Sequence, residues 1–268
     1  MALTHVKIYG ERNSGTNFAS ELIEANLDVG LRPGTVPARR KYFYWPLRRL
    51  LGRKLGTKFV ERSIDRYHRR HFAENLGWKH AQIPTFDGPD NPFPSTTLYV
   101  TVTKNPYAWL LSLYRRPYGL QDLPIDPGTL TFREFLQVPW RTFGRELGPA
   151  FYPNAIAMWN EKTKSYRKLS GYGPVVHGRY EAILADPAAF VEAVARRCGR
   201  KLPAKIRLIE HSTKKDGWNL NDYREYYLQE LWRNKLTPDE LALINRTLDP
   251  EVVVAAGYKM IRPEDLNF

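Results

Sequence analysis

Apolar and β-branched residues open the chain in a short run, VKIY at 6–9, that stops at Gly10. After ERNSG, the segment TNFASELIEANL places Phe18, Leu22, Ile23 and Leu27 at the spacing of one helix face. The pattern predicts strand, loop, helix. The same succession returns at LYVTVT, 98–103, the clearest buried strand: Asn105-Pro106 ends it, and AWLLSLYRR continues with helical character. TFREFLQ at 131–137 carries Thr131 and Glu134 in the capping-box arrangement, and 154–169 reads as an amphipathic helix ending before Gly171. PVVHGRYE at 174–181 predicts a third strand. Asp186-Pro187 starts the helix of AAFVEAVARRCG, with the proline in its first turn and Gly199 where a C-cap belongs. YREYYLQELW and TPDELALINRTL are the strongest helical segments of the C-terminal third. Strands alternating with helices predict an α/β fold in three layers, a central, mostly parallel sheet flanked by helices. No internal repeat or long linker divides 1–268, which reads as a single domain with a basic, insertion-like segment at about 32–71.

Composition changes this picture little. With 43% hydrophobic, 13% aromatic and 26% charged residues among 268, the chain can bury a sizeable core, and disorder and low-complexity architectures are excluded. The single cysteine, Cys198, excludes an intrachain disulfide framework and cysteine-based zinc sites, so nothing requires an oxidising compartment and a cytoplasmic setting is expected. The N-terminus has neither the basic nor the apolar region of a signal peptide, and no apolar window reaches membrane-spanning length.

Charge changes it more. The formal net charge is +13, and the excess is concentrated: 32–70 contains thirteen Lys and Arg against only Glu61 and Asp65. Tyr42, Phe43, Tyr44 and Trp45 interleave with these cations. Such a stripe suits an acidic acceptor or an anionic membrane surface, and, as a competing reading, single-stranded nucleic acid.

The loop after the first strand, Gly10-Glu11-Arg12-Asn13-Ser14-Gly15-Thr16-Asn17, has the G-x-x-x-x-G spacing of a phosphate cradle between strand and helix. The lysine that would reach a nucleotide's terminal phosphates is replaced by Thr16, and Asn17 stands where a magnesium-binding hydroxyl belongs. That weighs against a P-loop kinase. Backbone N–H groups, the Ser14 and Thr16 hydroxyls and a helix N-terminus remain, which suit a diphosphate-like group without metal.

This segment resembles the 5'-phosphosulfate loop of sulfotransferases that use 3'-phosphoadenosine 5'-phosphosulfate (PAPS), whose usual form is P-K-S-G-T-T-W and which here reads Arg12 to Phe18. The resemblance implies a P-loop-like nucleotide-binding core, with Arg12, Asn13, Ser14, Gly15, Thr16 and Asn17 around the phosphosulfate. The family's lysine position is Asn13, with Arg12 the nearest cation. LYVTVTKNPYAWLLSLYRRP resembles the family's 3'-phosphate segment, with Lys104 and Ser112 eight residues apart as the phosphate ligands. GRYEAILADP resembles the segment whose tyrosine lies against the adenine, a role that falls to Tyr180, and Phe18 matches the adenine-stacking aromatic. HSTKKDGWNL resembles the C-terminal segment that adds cations, here Lys214 and Lys215. In WKHAQIP, His80 matches the family's catalytic base, with Lys79 as a neighbouring cation and Glu11 as the alternative base. The resemblance runs from Val6 to about Gly257, with motifs in family order. It implies an enzyme that transfers a sulfuryl group from PAPS to a hydroxyl of a carbohydrate, glycolipid or small molecule. No dedicated nucleic-acid role is then expected, and the basic segment is left for an anionic glycan, glycolipid or membrane contact.

Overall fold

The computed structural model describes residues 3–40, 46, 50, 53–86, 91–118, 128–212 and 216–266. Four strands form one sheet in the order β2-β1-β3-β6: β1 (His5–Tyr9), β2 (Gly30–Leu31), β3 (Thr97–Thr103) and β6 (Val175–Arg179). All its pairings are parallel, with Tyr9 beside Thr101 and Thr103 beside Arg179. A separate antiparallel pair joins β4 (Trp140–Arg141) to β5 (Phe151–Tyr152).

The two-residue period of the strands explains the layers. Val6, Ile8, Val100 and Val102 face a core shared with Phe18, Leu22 and Ile23 of α1 (Thr16–Asn26) and with Val191 and Val194 of α8 (Pro187–Cys198). The alternate residues Tyr9 and Tyr99 pack with Leu76, Ile83, Phe93 and Leu169, and with Tyr166 of α6 (Ala155–Tyr166). Helices and packed loops therefore cover both faces of a parallel sheet, as the alternating pattern requires. Between α1 and α6 lie α2 (Arg53–Arg70), α3 (Phe72–Asn75), α4 (Pro106–Tyr114) and α5 (Phe132–Phe135). The remaining helices are α7 (Tyr180–Ala185), α9 (Leu220–Leu228), α10 (Pro238–Thr247) and α11 (Pro250–Ala255).

Local chemistry sets the boundaries. Asn105 caps α4 by accepting the N–H groups of Tyr107 and Ala108 ahead of Pro106, and Thr131 and Glu134 form the expected capping box on a helix of one turn. Gly199 closes α8 at φ 64°. The third strand stops earlier than its apolar pattern suggests: Tyr180 and Glu181 belong to α7, not to β6. The sheet thus ends level with the end of β3, and Tyr180 is turned toward the first loop. Among the described residues no helix is long and apolar enough to cross a membrane.

Candidate active site

β1 and β3 are neighbours whose next strands in the sheet, β2 and β6, lie at opposite edges, so the loops at their C-terminal ends flank a crevice of the kind in which open α/β sheets bind ligands. Gly10 is required there: a Cβ would stand 2.4 Å from the Val102 carbonyl oxygen and 2.9 Å from Ser14 Oγ. The loop then coils on itself, with the Ser14 amide and hydroxyl both donating to the Glu11 carbonyl, at 3.1 and 2.6 Å. Asn13 and Gly15 take left-handed backbone angles, φ 64° and 94°. A side chain at Gly15 would meet the Tyr180 ring at 2.1 Å. Gly15 caps α1 without any side-chain acceptor, so the first-turn N–H groups and the positive end of the helix are left to an anion.

Lys104 follows β3 and is buried with its ammonium on two aromatic faces, 4.2 Å from the Tyr180 ring centre and 4.0 Å from that of Tyr227. Among the described residues it has no carboxylate partner within ion-pair distance. Burial, against the weaker pull of Glu181, holds it down at about 7. Ser112 donates to the Ala108 carbonyl at 2.9 Å and meets the Tyr227 hydroxyl at 3.1 Å. Lys104 and Ser112 are therefore brought together through Tyr227, a residue the sequence reading missed and whose only signal was its place in the aromatic run YREYY. Phe18 and Tyr180 meet edge to face at 6.4 Å. Tyr180 lies on Gly15 and Lys104, so the adenine position implied for it needs a different placement of the ring. A cavity of about 30 Å³ remains between Asn13, Gly15, Phe18, Lys104, Tyr180 and Tyr223, room for a water rather than a nucleotide.

The donor set nevertheless fits an adenosine 3'-phosphate 5'-phosphosulfate. Asn13 Nδ2 is buried with no hydrogen-bond partner and lines this cavity, and Lys104 is a buried cation that lacks an anion. Ser14, expected to offer its hydroxyl, spends its proton on the Glu11 carbonyl.

The other end of the loop gathers the expected catalytic groups. The Arg12 guanidinium lies 4.7 Å from the Trp78 ring, 4.6 Å from Tyr118 and 5.5 Å from Phe143, and burial lowers its pKa. The Arg12 carbonyl accepts Trp109 Nε1 at 2.7 Å. Lys79 donates to Asn17 Oδ1, which ties it to the first turn of α1. His80 stands edge-on to Trp78 at 4.8 Å, with Nδ1 2.6 Å from the Gly10 carbonyl oxygen. A carbonyl can only accept, so Nδ1 carries the proton and Nε2 keeps its lone pair. Burial, then the cations Lys79 and Arg12, hold the ring well below the ordinary histidine range. It is neutral at physiological pH.

Glu11 is committed elsewhere. Its Oε2 lies 2.6 Å from Lys162 Nζ and its Oε1 accepts the Arg12 amide at 2.7 Å, so both oxygens of the alternative base have partners within the chain. Lys162 also pairs with Glu146 and donates to the His80 carbonyl at 3.0 Å. All three charged residues are buried. Burial opposes the charge on Lys162, and the two carboxylates outweigh it. Neither Lys162 nor Glu146 was legible in the sequence, because polar residues in an amphipathic helix and a loop ordinarily face water. Lys214 and Lys215 lie outside the described residues. Among the described residues no group of three or more His, Cys, Asp and Glu side chains is placed to hold a metal ion.

No family model matches the chain, and no curated protein does. Among solved structures, the chain is similar to the sulfotransferase domain of the Synechococcus PCC 7002 olefin synthase. Identity is 13% over 91% of this chain and 93% of that one, with a TM-score of 0.37, a likeness that fixes neither activity nor cofactor.

Proposed function

We propose that the chain is a sulfotransferase that moves the sulfuryl group of PAPS to a hydroxyl of a carbohydrate, glycolipid or small molecule. One observation carries this reading: a strand-to-helix loop with an unpartnered amide donor, Asn13 Nδ2, meets a buried, carboxylate-free Lys104 at one crevice. When bound, PAPS would supply the activated sulfuryl group. The loop amides and Asn13 would hold its phosphosulfate, and Lys104, supported by Ser112 through Tyr227, its 3'-phosphate. His80 Nε2 takes the acceptor's proton, while Arg12 and Lys79 place positive charge beside the loop where negative charge develops. The single buried Cys198 makes no demand for an oxidising compartment, and we assign the activity to the cytoplasm.

Adenosine 3',5'-bisphosphate, the product of such a transfer, is expected to stabilise the protein without metal. At about 100 times Kd the gain approaches roughly 2.7 kcal/mol, read as a thermal shift. ATP with magnesium and single-stranded DNA serve as the competing ligands. No shift with the bisphosphate at millimolar concentration overturns the cofactor assignment, and a larger shift with either competitor replaces it.

His80→Ala separates binding from chemistry. Turnover should fall by roughly 10²-fold or more while bisphosphate affinity stays near normal. Because the folded-state pKa is depressed, the base-competent neutral ring persists as pH falls past about 6.5. The acidic limb of the wild-type kcat/KM profile, which reports the free enzyme, therefore lies below that value. Near-normal turnover in the variant would move the base to another residue.

A further inference from the structure

α2 holds seven Lys and Arg with Glu61 and Asp65 in the densest part of the basic segment. Both carboxylates are turned inward. Glu61 lies 2.6 Å and Asp65 2.9 Å from the buried Arg145 guanidinium, and Asp65 also accepts the Gly144 and Arg145 amides at 3.1 and 3.2 Å. Buried Tyr67 and His68 complete the docked face. Arg145 in turn stacks on Trp78 and Phe143, the rings that also hold Arg12, so the helix is fixed to the wall of the candidate site.

The opposite face is left with charge of one sign. Lys58, Arg62, Arg66 and Arg69 are exposed at helical spacing, with no carboxylate facing them among the described residues. Two large apolar side chains share their face: Leu55 is 69% and Phe59 49% exposed, and Leu50 just upstream is 82% exposed. Cations alone would suit any polyanion. A flexible acidic glycan would satisfy them and leave Leu55 and Phe59 in water, and a single-stranded nucleic acid would stack on Phe59 but leave the aliphatic Leu50 and Leu55 without a partner. An anionic bilayer satisfies both, because its headgroups take the cations and its acyl boundary takes the apolar side chains.

We propose that this face of α2 docks the protein on an anionic membrane surface. The contact goes beyond sulfuryl transfer and does not depend on it. The docked face of α2 meets the site wall at Arg145, so Arg12 and His80 lie across the helix from the bilayer, about one helix diameter away, which suits a membrane-borne acceptor if the transfer reading holds.

The test uses the full chain and co-sedimentation with vesicles of phosphatidylcholine alone or mixed with phosphatidylglycerol. Binding is expected only to the mixed vesicles and should weaken with added salt. Arg62→Gln/Arg66→Gln/Arg69→Gln should weaken it on the order of 100-fold, at about fivefold per cation. Leu55→Ser/Phe59→Ser should weaken it roughly tenfold or more. These side chains are exposed, so the thermal unfolding midpoint should be unchanged, which separates lost docking from lost folding. Absence of vesicle binding at low salt, binding to heparin or oligonucleotide but not to vesicles, or vesicle binding that both variants retain would each overturn the proposal.

Discussion

Lys162→Met is expected to lower the unfolding free energy by about 3–5 kcal/mol, the usual cost of removing one partner from a buried charge cluster. The substitution keeps the length and much of the volume of the side chain, so the loss is electrostatic rather than a cavity. Glu11 and Glu146 would be left buried side by side without their cation, and the His80 carbonyl would lose its donor. Against a total stability of about 5–15 kcal/mol for a domain, this is a large fraction. The sign of the pH dependence identifies the cause. Burial already holds the Glu11 carboxyl above the ordinary carboxylate range against the pull of Lys162; without that cation the rise is larger, so the folded chain binds more protons and is best preserved in acid. The deficit measured by urea unfolding should therefore be smaller near pH 4 than at pH 7. Replacing Glu11 and Glu146 by Gln in the same chain should restore part of the stability. A deficit that ignores pH would mean that Lys162 acts by packing alone.

The elements that this network holds in place were legible in the sequence to different degrees. β1, β3 and α1 could be read because each is a run with one dominant period, bounded by Gly10 or by Asn105-Pro106. β2 could not, since two residues carry no periodicity and the pairing of Val6 with Leu31 is a long-range choice. α2 escaped for another reason: its sequence is dominated by cations, and its docked face is built from Glu61, Asp65 and Tyr67 rather than from an aliphatic stripe. The same limit applies at the site. The glycines of the loop, Lys104 and His80 lie in short ordered motifs that stay local, so their neighbourhood in space follows from the parallel sheet. Tyr227 and Lys162 reach the site from sequence-distant helices. Only the packed structure shows that one lies under the Lys104 ammonium and the other between two carboxylates. Tyr180 was found by motif, but its present position on Gly15 depends on α7 beginning where the third strand was expected to continue.

Lys104→Met should move binding and stability in opposite directions. Adenosine 3',5'-bisphosphate affinity is expected to fall by about 10- to 150-fold, the worth of a charge-assisted hydrogen bond of roughly 1.5–3 kcal/mol. The ligand-free protein should be as stable as the wild type or more so, because a buried ammonium without a carboxylate partner is removed from between Tyr180 and Tyr227. The pH dependence follows from the same burial. Lys104 titrates at about 7 when folded, against 10.5 for the ordinary side chain. Between those values the unfolded chain binds the extra proton, so this group makes the folded state relatively more stable as pH rises from 7 toward 10.5. An anion needs the ammonium form. Bisphosphate binding should therefore take up a proton, and affinity should weaken by up to about tenfold per pH unit above 7. Lys104→Arg stays charged throughout and should remove that slope, even where its bulk lowers the affinity. Isothermal titration in buffers of different ionisation enthalpy measures the proton uptake directly. Equal affinity in wild type and Lys104→Met, with stability lost in the variant, would make Lys104 a structural cation and separate it from the nucleotide.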